Sequence, residues 1–167
     1  QISFVSTENI KEDLSAPFTF LMDASMLGVG VGFDTLGAGK LIIKGPNDNR
    51  QTERYEIPDT RQGWVESLRL QLESYFLGTA PVEFDYSKIR EAGVAIAGFG
   101  GVSSGPAPLQ ELHEKISEIL GESVGGPISI TAIVDIMNLI GKCVVAGNVR
   151  RTAEIVFGDA DSQEYLD

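Results

Sequence analysis

Cysteine, histidine and tryptophan each occur once in these 167 residues. A lone thiol, Cys143, closes no internal disulfide, which fits a reducing, cytoplasmic compartment. It follows Lys142 near the end of an apolar helical stretch and reads as a structural thiol. A lone imidazole, His113, has no second His or Cys at ligand spacing, so no metal site is expected, and it reads as a surface residue. Basic side chains are also scarce: 13 against 24 acidic ones, a net charge of −11. That balance argues against a broad face for duplex nucleic acid or an anionic membrane, each of which needs clustered Lys and Arg. Small phosphorylated ligands stay compatible, because a few arginines and backbone N–H groups suffice locally. Long hydrophobic runs are missing too. The stretch from Ile128 to Ile140 is broken by Asp135 and Asn138, so no membrane span is expected. No basic, then apolar leader opens the chain, so secretion has no support. No Ser-His-Asp set or carboxylate pair stands out, and no catalytic residue is expected within the chain.

What is present is an ordinary globular composition, 43% apolar, in a chain long enough for one sizeable core. Ile2 to Ser6 reads as a strand. Ser15 caps a helix from Pro17 to Leu27. Lys40 to Lys44 suits a short strand closed by Gly45-Pro46-Asn47-Asp48-Asn49. A second helix starts after Asp59-Thr60 and runs to Leu77, with Trp64, Val65, Leu68, Leu72, Tyr75 and Phe76 at helical spacing. Phe84 to Tyr86 and Val94 to Ala97 are extended. A third helix spans Pro106 to Leu120. A fourth, Ser129 to Val145, is apolar on most faces and is expected to be buried all round. A strand through Phe157 follows. Strands alternating with helices point to an α/β fold with a largely parallel sheet. The chain opens at Gln1 directly in a strand-like run and stops as another element begins, so it is expected to be a single incomplete segment, 1–167, of a larger protein.

Three segments carry chemistry. Gly147-Asn148-Val149-Arg150-Arg151-Thr152 sets two guanidinium groups after a flexible Gly-Asn pair, a loop able to fold over an anionic, planar ligand. Gly28-Val29-Gly30-Val31-Gly32 alternates glycine with apolar residues and misses the G-x-G-x-x-G spacing, so it is not a dinucleotide fingerprint. It fits a ribbon that a ligand approaches closely, and equally a helix C-cap followed by a bulged strand. Ser103-Ser104-Gly105-Pro106 sits at a helix start, where an N-cap and an anion site are the same physical device.

Together with Phe4-Val5-Ser6-Thr7, Phe20-Leu21-Met22-Asp23, Phe99-Gly100-Gly101 and the run from Ile140 to Ile155, these segments resemble the adenosylcobalamin-dependent (class II) ribonucleotide reductases, nearest to the monomeric ribonucleoside-triphosphate branch. The resemblance covers essentially the whole chain in order. It implies a partial segment of a ten-stranded α/β barrel from an oxidoreductase that makes deoxyribonucleotides by cobalamin-initiated thiyl radical chemistry. It places substrate contacts on Val29 and Gly30, and Ser103 and Ser104 are read as substrate-binding beside them. It puts an effector-responsive specificity loop on Gly147, Asn148, Val149, Arg150, Arg151 and Thr152, with Arg150 central. The implied partners are a ribonucleoside triphosphate, a deoxynucleoside triphosphate effector and a thioredoxin-type reductant. Adenosylcobalamin is expected to bind mostly outside this segment, as is the thiyl cysteine. The family's first-strand redox cysteine corresponds to Ile2, or to Ser3 in a shifted register, so that thiol is missing here and the segment alone is expected to be inactive. Two other readings stay open: a stand-alone nucleotide-binding or regulatory module without catalysis, and a degenerate copy kept as an assembly partner.

Overall fold

In the computed structural model, residues 2–95 and 103–155 are described, the last eight of them by backbone alone. The order is β1 (Ile2–Val5), α1 (Ile10–Asp13), α2 (Ala16–Met26), β2 (Gly30–Phe33), β3 (Glu53–Glu56), α3 (Arg61–Leu77), β4 (Val82–Asp85), α4 (Ala107–Gly121) and α5 (Ile130–Ile155). The strands form two separate two-stranded parallel sheets, β1–β2 and β3–β4. Each pair is bridged by helix, as parallel neighbours require.

This architecture corrects the expected ten-stranded barrel segment. The α/β alternation is present, but among the described residues each sheet stops at two strands. Between β2 and α3 the chain adds β3 instead of extending the first sheet. Lys40 to Lys44, expected as a strand, makes a single antiparallel bridge, Ile42 to Pro127. Its buried Leu41 and Ile43 are held by the turn before α5 instead: Ile43 N–H donates to Gly126 O at 2.9 Å, and Ile128 N–H to Leu41 O at 2.8 Å. The expected strand through Val94–Ala97 and the one through Phe157 fall largely outside the described residues.

Helix ends follow local chemistry only in part. Thr60 caps α3, its hydroxyl accepting from Gly63 N–H at 2.9 Å. Ser15 precedes α2 but makes no cap bond. Its own backbone is already helical there, and its hydroxyl donates to Glu73 Oε2 at 2.8 Å, tying α2 to α3. The fourth expected helix runs ten residues past Val145, to Ile155. It is not buried all round: Ala132, Ile133, Ile136, Met137, Ile140, Cys143 and Val144 form a buried stripe, while Ile130 and Val145 are exposed. Over Ile130–Gly147 it is long and apolar enough, by length and composition alone, to cross a membrane, despite Asp135 and Asn138. Its stripe packs on α2 and α4 within the core, which accounts for the apolar character by ordinary helix packing.

The core gathers side chains from α2, α3, α4 and α5, among them the fully buried Phe18, Met22, Leu68, Leu72, Leu109 and Ile133. Each such side chain contributes about 1.5–3 kcal/mol relative to exposure. The end of β1 is locked to the end of β2 by one carboxylate. Asp34 Oδ1 accepts from Thr7 N–H at 2.9 Å and from the Thr7 hydroxyl at 2.8 Å, and Thr7 is fully buried. Burial opposes ionisation of Asp34, but the hydrogen bonds from Ser6, Thr7 and Leu36 outweigh it and hold the carboxyl at about 2, below the usual 3.8.

His113 is inside, which corrects its reading as a surface residue. It is 4% exposed. Ser67 Oγ donates to Trp64 O at 2.7 Å, so at 2.9 Å it accepts from His113 Nε2–H. That leaves Nδ1 as acceptor for the Tyr86 hydroxyl at 2.6 Å and settles the tautomer. The ring stacks on Phe84 with centroids 4.1 Å apart. Burial lowers the imidazole pKa from 6.5 to about 3 and raises that of the Tyr86 phenol, which the nearby Glu114 charge raises further.

Two acid-stability outcomes follow by the same linkage. Asp34 is depressed, so its stabilising effect is present above about 3.8 and is lost as pH falls through about 2. Urea midpoints of Asp34→Asn are expected to show a shallower decline over that window. His113 is also depressed, and there too the unfolded chain takes up the extra proton, at higher pH. Stability is therefore lost as pH falls from about 6.5 towards 3. His113→Leu is expected to flatten that slope while costing about 1–3 kcal/mol at pH 7, since Ser67 and Tyr86 lose a buried partner. Equal pH slopes in wild type and variant would contradict the assignment.

Candidate functional site: the serine cleft beside Gly147

Two of the three sequence motifs meet. The Ser103-Ser104-Gly105 turn leads into α4, and α5 crosses it at Gly147. Ser104 Oγ lies 3.3 Å from Gly147 O, a weak contact across 43 residues of sequence. Glycine fits this crossing closely: a Cβ on Gly147 would stand 3.0 Å from Trp64 Cζ3, so the indole would have to give way, and 3.5 Å from Ser104 Oγ. The absent side chain is what lets α5 sit against Trp64 and the serine turn at once.

The two hydroxyls have different duties. Ser103 is 3% exposed and fully engaged: its Oγ donates to Arg90 O at 2.8 Å and accepts from Gly105 N–H at 3.0 Å. Its backbone also bonds Gly93 and Val94, pinning the turn to the 90–94 segment. Gly105 completes the turn at φ +79°, where a side chain would be strained and an added Cβ would stand 3.0 Å from Ala92 N. Ser103 therefore shapes the turn. Ser104 is half-buried and makes only long contacts, to Gly147 O and, at 3.4 Å, to Gly105 O. It is the hydroxyl open to a ligand.

Beside it α4 starts at Ala107 with Pro106 in the cap position and no side-chain cap bond. The first N–H groups of a helix lack intrahelical partners and carry its positive dipole end, a setting suited to phosphate or carboxylate. The resulting cleft, about 450 Å³, is lined by Ser103, Ser104, Pro108, Glu111, Lys142 and Cys143, among others. Lys142 Nζ lies 3.6 Å from Glu111 Oε2, and both side chains are largely exposed. Such a pair is worth about 0–1 kcal/mol, so the ammonium is easily turned towards an anion. The sequence reading missed Lys142 as a site residue. Its signal was spacing: Leu139, Lys142, Cys143 and Ala146 recur at three- and four-residue intervals and so face one opening from a single helix.

Val29 and Gly30 are elsewhere. Gly30 pairs with Ile2 in the β1–β2 register, and neither Val29 nor Gly30 lines the serine cleft. Ile2 is 87% exposed and lies directly across the sheet from Gly30. The segment expected as the arginine loop continues α5 as helix through Ile155, and the side chains of Asn148, Val149, Arg150, Arg151 and Thr152 lie outside the described residues. Among the described residues no group of three His, Cys, Asp or Glu side chains is placed to hold a metal ion.

The cavities also bear on the implied cofactor. Two cavities among the described residues measure about 450 and 540 Å³. Pockets of about 300–1,000 Å³ take drug-sized ligands, a range that includes a nucleotide. A corrinoid is far larger, and the described residues do not fit it.

The family described as "B12-dependent ribonucleotide reductase, insertion domain" matches residues 35–120. That match covers β3, α3, β4 and α4 and assigns them to an insertion, which completes the correction of the barrel expectation. The adenosylcobalamin-dependent ribonucleoside-triphosphate reductase of Euglena gracilis is 59% identical over 165 residues, covering 99% of this chain and 23% of that protein. The enzyme of the same name from Lactobacillus leichmannii is 35% identical over 189 residues, covering 92% of this chain and 26% of its own length. A crystal structure of a B12-dependent (class II) ribonucleotide reductase superposes with a TM-score of 0.71 at 30% identity, over 87% of this chain and 28% of that one. The chain thus spans about a quarter of the length of the curated relatives it matches. With the insertion fold, the order of motifs and these matches in agreement, the chain belongs to the B12-dependent (class II) ribonucleotide reductase family, in its insertion-domain region.

Proposed function

We propose that this chain supplies nucleotide binding and regulation to an adenosylcobalamin-dependent ribonucleoside-triphosphate reductase, and that the radical chemistry is done by residues outside it. The observation that carries the reading is the convergence of Ser104, the α4 N-terminus and Lys142 on one cleft, with Ser104 in contact with Gly147, where the expected specificity segment begins. The cleft offers a hydroxyl, backbone N–H groups and a cation for phosphate. Arg150 and Arg151 follow Gly147 on the same helix and supply guanidinium groups for the base or phosphates of a bound nucleotide.

A regulatory role is favoured over direct substrate positioning for two reasons. The family match falls on an insertion, and Val29 and Gly30, read as substrate contacts, lie apart from the cleft. In this reading the cleft holds a deoxynucleoside triphosphate effector through Ser104, with Ser103 shaping the turn. Gly147, Asn148, Val149, Arg150, Arg151 and Thr152 convey its presence to a ribonucleoside triphosphate substrate near Val29 and Gly30. Adenosylcobalamin and a thioredoxin-type reductant act on the rest of a cytoplasmic parent enzyme.

In the full-length protein, Arg150→Ala is expected to change which substrate each effector favours by about tenfold while leaving cobalamin homolysis within about twofold, since a contact to the effector acts on the coupling between sites and not on homolysis. Unaltered substrate preference would sink the reading. Gly147→Val is expected to weaken effector binding more than Ser103→Ala does, because the added side chain drives α5 away from Trp64 and Ser104. Calorimetry with deoxynucleoside triphosphates measures both. Binding by the 167-residue chain alone, with a cooperative melt, would show that the regulatory module stands by itself.

A further inference from the structure

A second cavity, about 540 Å³, opens between α3, β4 and α4, and its chemistry is opposite to that of the serine cleft. Its wall includes Gln71, Tyr75, Phe84, Glu114, Ser117 and Glu118, and no Lys or Arg lines it. We propose that it is a binding site for a primary ammonium group carried on an apolar stem.

Gln71 is the central observation. It is 5% exposed, and its amide nitrogen donates to His113 O at 2.6 Å and to Ser117 Oγ at 3.0 Å. Those two bonds use both N–H hydrogens and fix the amide orientation, since the flipped form would set its oxygen against the His113 carbonyl. Gln71 Oε1 is then buried with no hydrogen-bond partner among the described residues. A buried acceptor left unpaired costs about 1–3 kcal/mol, which a ligand donor recovers.

The surroundings specify what kind of donor. Glu114 and Glu118 stand one turn apart on exposed positions of α4, at the rim of the same cavity. Two carboxylates with no neighbouring cation on the wall attract a positive charge and repel phosphate, so a nucleotide is excluded. Phe84 and Tyr75, with Pro46, Pro81 and Val82, give an apolar wall for a stem, and aromatic faces favour a cation held against them. An alkylamine and a lysine side chain share this chemistry. The inference does not rest on the nucleotide-regulating role of the serine cleft.

Calorimetry on the full-length protein with n-pentylammonium, neutral n-pentanol and Nα-acetyl-lysine methylamide tests it. Saturable binding of n-pentylammonium is expected, about tenfold or more tighter than n-pentanol. The double variant Glu114→Gln, Glu118→Gln, at exposed positions that leave the core intact, is expected to erase most of that preference. Gln71→Met is expected to weaken it as well, and if that variant fails to fold, the glutamate pair decides. Binding of the capped lysine as tight as that of the free amine assigns the site to a partner's lysine; binding of n-pentylammonium alone assigns it to a free amine. No saturable heat with either ammonium, equal binding of n-pentanol, or indifference to the glutamate variants would overturn the proposal.

Discussion

The arrangement depends on one contact: the buried stripe of α5 laid against α2 on one side and α4 on the other. α2 belongs to the β1–β2 unit, and α4 follows the β3–β4 unit. A two-stranded parallel sheet has little stability of its own, because parallel strands need both faces covered and a pair buries little apolar area. Joining two such units takes a long apolar surface common to both. Ala132, Ile133, Ile136, Met137, Ile140, Cys143 and Val144 supply it at intervals of three and four residues, and Gly147 ends it with a close approach where a side chain would crowd Trp64. Cys143 thereby finds its purpose as a small apolar group at a tight crossing.

The same contact makes the candidate site. Ser104 and Gly147 are far apart in sequence, and only the path of α5 over the start of α4 brings them within 3.3 Å. Trp64, buried from α3, stands where a Cβ on Gly147 would meet it at 3.0 Å. A change anywhere along the stripe therefore reaches the cleft through the tilt of one helix. Under the proposed function, a ligand held at Ser104 and Lys142 would bias the position of the segment that follows Gly147 and so couple binding to helix packing.

Charge is divided between the two cavities in a chain that is acidic overall. The serine cleft has a helix N-terminus and Lys142, whose weak pair with Glu111 leaves it available. The cavity under His113 has Glu114, Glu118 and an unpaired amide oxygen. α4 contributes to both: its N-terminal end faces the anion-binding side, and the face carrying His113 and Ser117 turns to the cation-binding side. His113 holds that second face in place without being charged, since Ser67 and Tyr86 satisfy both ring nitrogens.

Local periodicity was enough to locate α2, α3 and α4, because their apolar positions recur at helical spacing and Thr60 and Pro106 mark two starts. It also singled out the serine turn and the glycine of the arginine segment, whose residue types are unusual in any setting. It failed where neighbours decide. Glu53–Glu56 has almost no apolar signal and becomes β3 only because Val82–Asp85 pairs with it. Lys40–Lys44 has a strand's composition, yet its buried side chains are held by the 125–128 turn. His113 looked exposed because Leu112 and Glu114 flank it, while its partners Ser67 and Tyr86 lie 46 and 27 residues away. The chain's own residues thus determined which segments coil, the overall negative charge and the motifs themselves, for these are set by bonds and contacts within a few residues. Tertiary packing alone decided that the strands of the described residues stop at two pairs, that the imidazole is buried and neutral, and that a serine and a glycine 43 positions apart come into contact. Those outcomes depend on which surfaces find one another once water is excluded, and that information is spread over the whole chain.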